Sequence, residues 1–99
     1  MALVAVQGFA PVILDTNQPP DQTVLQNRPL ILSINATGAP APQYQWYRNA
    51  APIAGATNPV YQVAAMAAGN AGSYFVRVTN ATGTVDSRLA TINYVADTT

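Results

Sequence analysis

The chain has 99 residues, of which 49% are hydrophobic and only 8% are charged, with a formal net charge of zero. This length fits one domain with a single core, and a neutral chain has no field to draw it to nucleic acid or an anionic membrane. Because Cys and His are both absent, disulfides, the usual zinc ligand sets and His-activated nucleophiles are excluded. We therefore expect no enzyme activity, no cofactor and no metal site.

The chain begins with an apolar arm over residues 1–9. Its larger apolar side chains are Leu3, Val4, Val6 and Phe9. In one interpretation the arm frays or folds back as an edge strand. In the other, those four side chains dock on another chain, because an exposed apolar arm is unfavourable in a free monomer. The arm is too short and uncharged for a secretory signal, and no stretch approaches the ~18 apolar residues of a membrane-spanning helix.

The remainder of the chain predicts short strands separated by turns rich in Pro, Gly and Asn. The alanine-rich stretch Ala64–Ala68 is too short for an α-helix and predicts a single 3₁₀ turn. A tight hairpin with Gly83 at positive φ is predicted over Asn80–Gly83, and a bulge is expected at Arg88–Leu89. About seven strands predict an all-β antiparallel sandwich. These strands are Val12–Leu14, Gln22–Leu25, Leu30–Ala36, Gln43–Arg48, Val60–Val63, Ser73–Thr79 and residues 84–95.

Two motifs on either side of Trp46, the only Trp of the chain, resemble those of the immunoglobulin fold of the I-set type. The first is Leu30-x-Leu32-x-Ile34-x-Ala36-x-Gly38-x-Pro40, and Trp46 follows Ile34 by 12 residues. The second, Asn70-Ala-Gly72-Ser-Tyr74-Phe-Val76-x-Val78-x-Asn80-x-x-Gly83, is similar to the family's Asp-x-Gly-x-Tyr-x-Cys-x-Val-x-Asn-x-x-Gly. The resemblance covers residues 10–95. It implies a seven-stranded antiparallel immunoglobulin-like β-sandwich without a disulfide, with an arm over 1–9 and a tail over 96–99.

The resemblance also implies how the core is built. Ile34 and Val76 stand where the family has its two cysteines, so Trp46 is expected to pack between them. Tyr74 is expected to close a corner through its hydroxyl, with Asn70 as a neutral substitute for the family's Asp. The chain resembles in particular disulfide-free bacterial and bacteriophage domains, through the stretches Trp46-Tyr47-Arg48-Asn49 and Ile53-Ala54-Gly55-Ala56-Thr57.

One surface stands out because the residue alternation that buries Trp46, Tyr74 and Val76 turns three other side chains outward. Aromatic residues beside Arg are enriched at protein interfaces. A plain solvated sheet face is the alternative interpretation. The three side chains, which we call the aromatic patch, are Tyr47, Phe75 and Arg77.

The leading functional hypothesis is a non-enzymatic bacteriophage virion decoration or cement protein. The chain starts with Met and ends shortly after its last strand, as we would expect of a small complete gene product, and phage structural proteins resemble this pattern. Such a protein would be assembled in the host cytoplasm and located on the virion. Its arm would dock on capsid or tail subunits, with self-association into a symmetric cluster as an option.

The alternative is a carbohydrate- or protein-binding adhesion domain of a larger bacterial surface protein, located at the cell surface or secreted. That domain would bind a glycan or a protein through the aromatic patch. A structural spacer without any ligand is the third hypothesis. None of the three requires nucleic acid or a membrane as a partner.

Overall fold

The computed structural model describes residues 8–97. Within this range the chain forms short strands and one 3₁₀ helix, and no helix there is long and apolar enough to cross a bilayer. The strands are β1 (Phe9–Ile13), β2 (Gln22–Leu25), β3 (Leu30–Ser33), β4 (Ala36–Ala39), β5 (Gln43–Arg48), β6 (Ala51–Pro52), β7 (Val60–Val63), β8 (Gly72–Asn80), β9 (Gly83–Asp86) and β10 (Ala90–Val95), and the 3₁₀ helix is Ala68–Asn70.

The strands form two layers. In the first, β1 pairs with β4 and β3 pairs with β7, both antiparallel. The segment between β3 and β4 joins these ladders, because Leu14 N–H donates to the Asn35 carbonyl there and Ile34 N–H donates to the Pro59 carbonyl. The second layer has the order β2-β10-β8-β5-β6, with β9 also on β8. Its β2–β10 pair is parallel, and the other pairs described are antiparallel.

The expected all-β sandwich is confirmed, although it contains more strands than the seven predicted. The predicted strand Leu30–Ala36 is divided in two where the chain leaves the β7 ladder and joins the β1 ladder. The predicted strand over 84–95 is also divided, and the short β6 was not predicted. In Leu30–Ala36 alternation could not show the break, because the inward residues continue through it, whereas the break in 84–95 lies at the predicted bulge.

The core lies between the layers and consists of the inward side chains of both. Trp46, Tyr74 and Val76 are fully buried and Ile34 is 3% exposed. Trp46 lies opposite Val76 on adjacent strands. All four residues of the expected core therefore belong to one buried cluster. Within it, Ile34 and Val76 occupy the two positions where the resemblance would place a disulfide.

Two polar groups inside this core are satisfied locally. The Trp46 Nε1–H donates to the Asn58 carbonyl at 2.7 Å, and the Tyr74 hydroxyl donates to the Asn70 carbonyl. Burial raises the pKa of Tyr74, so the hydroxyl stays a donor. The expected tyrosine corner is thus present.

The 3₁₀ turn lies later than predicted, at Ala68–Asn70 instead of Ala64–Ala68. Asn70 determines this position, because its side chain accepts a hydrogen bond from Ala67 N–H at 3.1 Å while its own N–H donates to the Ala67 carbonyl. The residues before it form a loop that inserts Met66 into the core, where it is fully buried. No residue alternation marks Met66 in the sequence, so its burial was not predicted.

Two expectations about the last strands have different outcomes. The bulge is present: Arg77 pairs with Asp86 and Tyr74 pairs with Ala90, so the second strand has one extra residue between these pairs. The positive φ expected at Gly83 is wrong, since Gly83 is not among the positive-φ residues of the described range. Gly is needed there for space, because an added Cβ would lie 2.9 Å from the Ala10 Cβ.

The arm lies mostly outside the described residues, which include only Gly8 and Phe9 of it. Phe9 belongs to β1 and pairs with Ala39. Asn80 holds this end of β1 in place, because its Nδ2 donates to the Phe9 carbonyl at 2.8 Å and to the Pro40 carbonyl at 3.0 Å. The division into arm, domain and tail stays a prediction.

Candidate interaction surface

The aromatic patch lies on the two central strands of the second layer, β5 and β8. Tyr47 pairs directly with Phe75, and Arg77 pairs with Gln45 two residues along the same ladder. The neighbours of Tyr47 and Phe75 in sequence, Trp46 and Val76, are fully buried. Since successive strand residues point to opposite faces, Tyr47, Phe75 and Arg77 share the outer face.

The two aromatic rings of the patch are stacked on each other. Their centroids are 4.7 Å apart and their planes differ by 3°. The guanidinium carbon of Arg77 lies 5.0 Å from the Tyr47 centroid and 5.7 Å from the Phe75 centroid, within the range of a cation–π contact. The sequence predicted that these side chains share a face, and in the structure they form one cluster.

Arg77 uses three of its five N–H donors within the protein. Its Nε and Nη2 donate to the two carboxylate oxygens of Asp86, at 2.8 and 3.1 Å, and its Nη1 donates to the Tyr47 hydroxyl at 3.2 Å. The hydrogen bond and the negative charge of Asp86 raise the pKa of Arg77. The guanidinium is therefore neutralised by Asp86 and fixes the Tyr47 ring, so it is poorly placed to bind an anion.

Sequence reasoning missed Asp86, although a signal for it was present. Asn80 pairs with Gly83 at the hairpin turn, and counting outward from this pair brings Arg77 opposite Asp86. The position of the turn was predicted correctly, so its register would have placed the two charges side by side. This exposed pair contributes little to stability, and its role is to orient Arg77.

The residues that line the groove beside the patch are polar or aromatic and carry no charge other than that of Arg77 itself, which is paired with Asp86. Gln45 is committed to the fold, because its Nε2 donates to the carbonyls of Trp46 and Ile53 at 2.9 and 2.8 Å. The hydroxyls of Thr79 and Thr84 lie 3.3 Å apart. A shallow groove of about 360 Å³ borders the patch. Its lining residues are Gln43, Tyr44, Gln45, Tyr47, Thr57, Arg77 and Thr79.

The other predicted site residues lie elsewhere. Leu3, Val4 and Val6 are outside the described residues. Phe9 is 46% exposed, but it belongs to the first layer and not to the layer that carries the patch. Among residues 8–97, no three Asp, Glu, His or Cys side chains are grouped so that they could hold a metal ion.

Comparisons with known proteins agree with this architecture. A family model described as "Immunoglobulin domain" matches residues 10–80. The human protein "Mucosa-associated lymphoid tissue lymphoma translocation protein 1" is 31% identical over 71 residues, which cover 72% of this chain and 9% of that protein. The chain thus spans less than a tenth of the length of this curated relative.

Solved structures show the same fold at lower identity. The "Sidekick-1 immunoglobulin domains 1-5" structure has a TM-score of 0.77 and 24% identity over 86% of this chain and 18% of that one. "Tandem Ig repeats of Dlar" has a TM-score of 0.82 and 18% identity over 89% of this chain and 47% of that one. These relatives are eukaryotic, so they give no support to the expected bacterial or bacteriophage affiliation, and they do not assign the I-set subtype. The family match over most of the sandwich, together with the buried Trp46 and the tyrosine corner, shows that the chain belongs to the immunoglobulin domain family.

Proposed function

We propose that this domain is a non-enzymatic interaction module that binds a partner protein through the aromatic patch. The observation that carries the proposal is the parallel stack of Tyr47 and Phe75, which Arg77 and Asp86 hold on the outer face of the second layer. Aromatic side chains fixed before binding lose little conformational entropy on association. An outer face built in this way is therefore suited to protein recognition.

The chemistry of the patch favours a protein over a glycan or an anion. Three of the five N–H donors of Arg77 and the amide nitrogen of Gln45 are used within the domain, and Asp86 neutralises the charge of Arg77. A sugar needs several free polar groups beside an aromatic ring, and an anion needs free charge. A flat aromatic surface with a neutral polar rim fits the composition of protein interfaces instead.

The test begins by panning a display library of natural protein domains against the wild-type chain. For each binder, affinity is then measured for Tyr47→Ala, Phe75→Ala and the control Asn93→Ala, which changes an exposed residue on the same face of the second layer. We expect Tyr47→Ala and Phe75→Ala to weaken binding at least tenfold and Asn93→Ala to leave it nearly unchanged. Binders that are insensitive to both patch variants, or a glycan-array signal that depends on them, would contradict the proposal.

The second candidate function is the virion decoration protein expected from the sequence. Such a protein would be located on the virion and would dock there through its N-terminal arm. The observation that favours it is a line of exposed apolar side chains at the start of the described chain, namely Phe9, Val12 and Leu14. The eukaryotic relatives give it no support. If it is correct, deleting residues 1–7 will abolish co-sedimentation with purified virions while Tyr47→Ala will not; the reverse pattern would exclude the arm.

A further inference from the structure

Strand β7 forms an open edge of the first layer. It pairs with β3 in a register that places Leu32 opposite Tyr61 and Ser33 opposite Val60, and Ile34 N–H donates to the Pro59 carbonyl in the same ladder. In an antiparallel ladder, hydrogen-bonded and non-hydrogen-bonded pairs alternate. The pairs of Pro59, Tyr61 and Val63 are therefore hydrogen-bonded, and the N–H and C=O groups of Val60 and Gln62 point away from β3.

Within residues 8–97, no hydrogen bond reaches the backbone groups of Val60 and Gln62. The opposite side of β3 differs. There the Ile31 carbonyl, which points away from β7 by the same alternation, accepts a hydrogen bond from Gln22 Nε2 at 3.0 Å. One side of the β3–β7 pair is therefore capped by a side chain, and the other side is left free to pair.

Among residues 8–97, no strand fills the space beside β7. The preceding segment turns to the other layer, where Ile53 N–H donates to the Trp46 carbonyl and Trp46 N–H donates to the Ala56 carbonyl. A groove of about 280 Å³ lies between that segment and β7. Its lining residues are Ala54, Gly55, Ala56, Thr57, Asn58, Val60, Tyr61 and Gln62, none of them charged.

An uncharged, unprotected edge is unusual, because natural edge strands are commonly blunted by charged residues, prolines or bulges. Strand β7, Val-Tyr-Gln-Val, has none of these features, and Pro59, which precedes it, directs its nitrogen towards β3 by the same alternation. Val60 is 46% exposed, and Ile31 on the adjacent strand is 52% exposed. The edge thus combines free backbone groups with exposed apolar side chains.

We propose that β7 pairs antiparallel with β7 of a second copy of this chain about a two-fold axis. With Tyr61 on the axis, Val60 of each copy lies opposite Gln62 of the other, and these are the residues whose backbone groups are free. The pairing forms four backbone hydrogen bonds and joins the first layers of the two copies into one sheet. It is isologous and closed, so it gives a dimer and not a fibre.

The strand itself favours a second copy as the occupant. The same register satisfies both strands at once, because the free groups of Val60 and Gln62 are spaced symmetrically about Tyr61. No charge opposes the approach, since the groove contains no charged residue. The half-buried Tyr61 rings, each 6.3 Å from its own Trp46 ring between centroids, come side by side at the axis. Val60 gains cover on the outer side.

A pairing of four residues buries little surface, so the dimer is weak and requires high concentration. The measurement is sedimentation velocity of the full chain from about 10 µM to about 1 mM, with hydrogen exchange of the Gln62 amide at both limits. We expect the weight-average mass to rise from 10.4 kDa towards twice that value, and exchange of the Gln62 amide to slow as it does.

Two variants test the edge itself. Gln62→Pro removes the outward N–H without removing a β3 hydrogen bond, and Val60→Lys adds a charge at an exposed position. Each should weaken dimerisation at least tenfold, whereas Asn93→Lys in the other layer should dimerise like the wild type. Circular dichroism and Trp46 fluorescence check that each variant is folded, and if Gln62→Pro fails this check, Val60→Lys decides.

Three results would overturn the proposal. They are a wild-type chain that stays monomeric at 1 mM, a dimer that both edge variants leave intact, and a dimer that is lost on deleting residues 1–7 and so depends on the arm. The proposal goes beyond the aromatic patch, because Tyr47→Ala should leave the dimer unchanged.

Discussion

Trp46 shows how one residue holds this sandwich together without a disulfide. Its ring is fully buried, lies opposite Val76 on the adjacent strand and contacts the Tyr61 ring. Its Nε1–H also binds the Asn58 carbonyl, which fixes the segment leading into β7. The indole therefore joins the two layers by packing and positions a loop by a hydrogen bond.

Trp46→Ala should lower the free energy of unfolding by ~3 to 5 kcal/mol, because it leaves a large cavity in the core. Trp46→Phe should cost less than Trp46→Ala, since a ring is retained, although it removes the hydrogen bond from Nε1–H to the Asn58 carbonyl, which contributes about 0.5–1.5 kcal/mol. Urea denaturation followed by far-UV circular dichroism measures both. Asn93→Ala is the exposed control and should stay within about 0.5 kcal/mol of the wild type. Equal stability of Trp46→Ala and wild type would be incompatible with a core centred on this ring.

At the scale of the strands, the chain must cross from the first layer to the second between β1 and β2, and one ion pair holds this crossing. Asp21 Oδ1 accepts hydrogen bonds from Thr91 N–H at 2.8 Å and from Arg88 Nη1 at 3.0 Å. Arg88 Nη1 also donates to the Pro19 carbonyl at 2.8 Å. These contacts attach the crossing to the start of β10, beside which β2 then runs parallel.

This arrangement makes the stability of the crossing depend on pH. The Thr91 N–H, followed by Arg88, lowers the pKa of Asp21 below its ordinary value of 3.8. A carboxyl with a lowered pKa in the folded state stabilises the fold above the ordinary pKa and loses that effect as the pH falls through the lowered value. We expect Asp21→Asn to lower the melting temperature at pH 6, and the difference from wild type to shrink below about pH 4.

Thermal unfolding at a series of pH values measures this difference. Asp15→Asn is the matched control, because it removes the same charge from an exposed loop where no ion pair is found among the described residues. A gap between Asp21→Asn and wild type that stays constant down to pH 2 would show that the ion pair does not contribute.

Some features of the whole molecule could be predicted from the sequence and others could not. The sandwich and its core followed from local patterns, since alternation sets the faces of each strand, and the spacing of Trp46 and Tyr74 resembles that of the fold. The aromatic patch was predicted as a shared face for Tyr47 and Phe75. The ion pair of Arg77 with Asp86 could be predicted only by extending the register of the hairpin from its turn.

The open edge at β7 could not be predicted from the residues of that strand. It exists because the segment before β7 pairs with β5 instead of extending the first layer, and no residue within Val60–Val63 encodes that choice. Features that depend on the absence of a neighbour are visible only when all strands have been placed. The burial of Met66 also depends on the placement of other segments. The loop after β7 that carries Met66 is hydrogen-bonded to Asn27 and Arg28 in the turn after β2.

The burial of Met66 makes its oxidation rate a measure of how often the core opens. The chain has two methionines, of which Met1 lies outside the described residues and Met66 is sealed in the core. Peroxide adds oxygen to a thioether only where it can reach the sulfur, so Met66 is converted to its sulfoxide when this end of the sandwich opens. The rate at which one oxygen is added to the peptide that contains Met66, followed by mass spectrometry, therefore records how often the native fold opens, without any attached label.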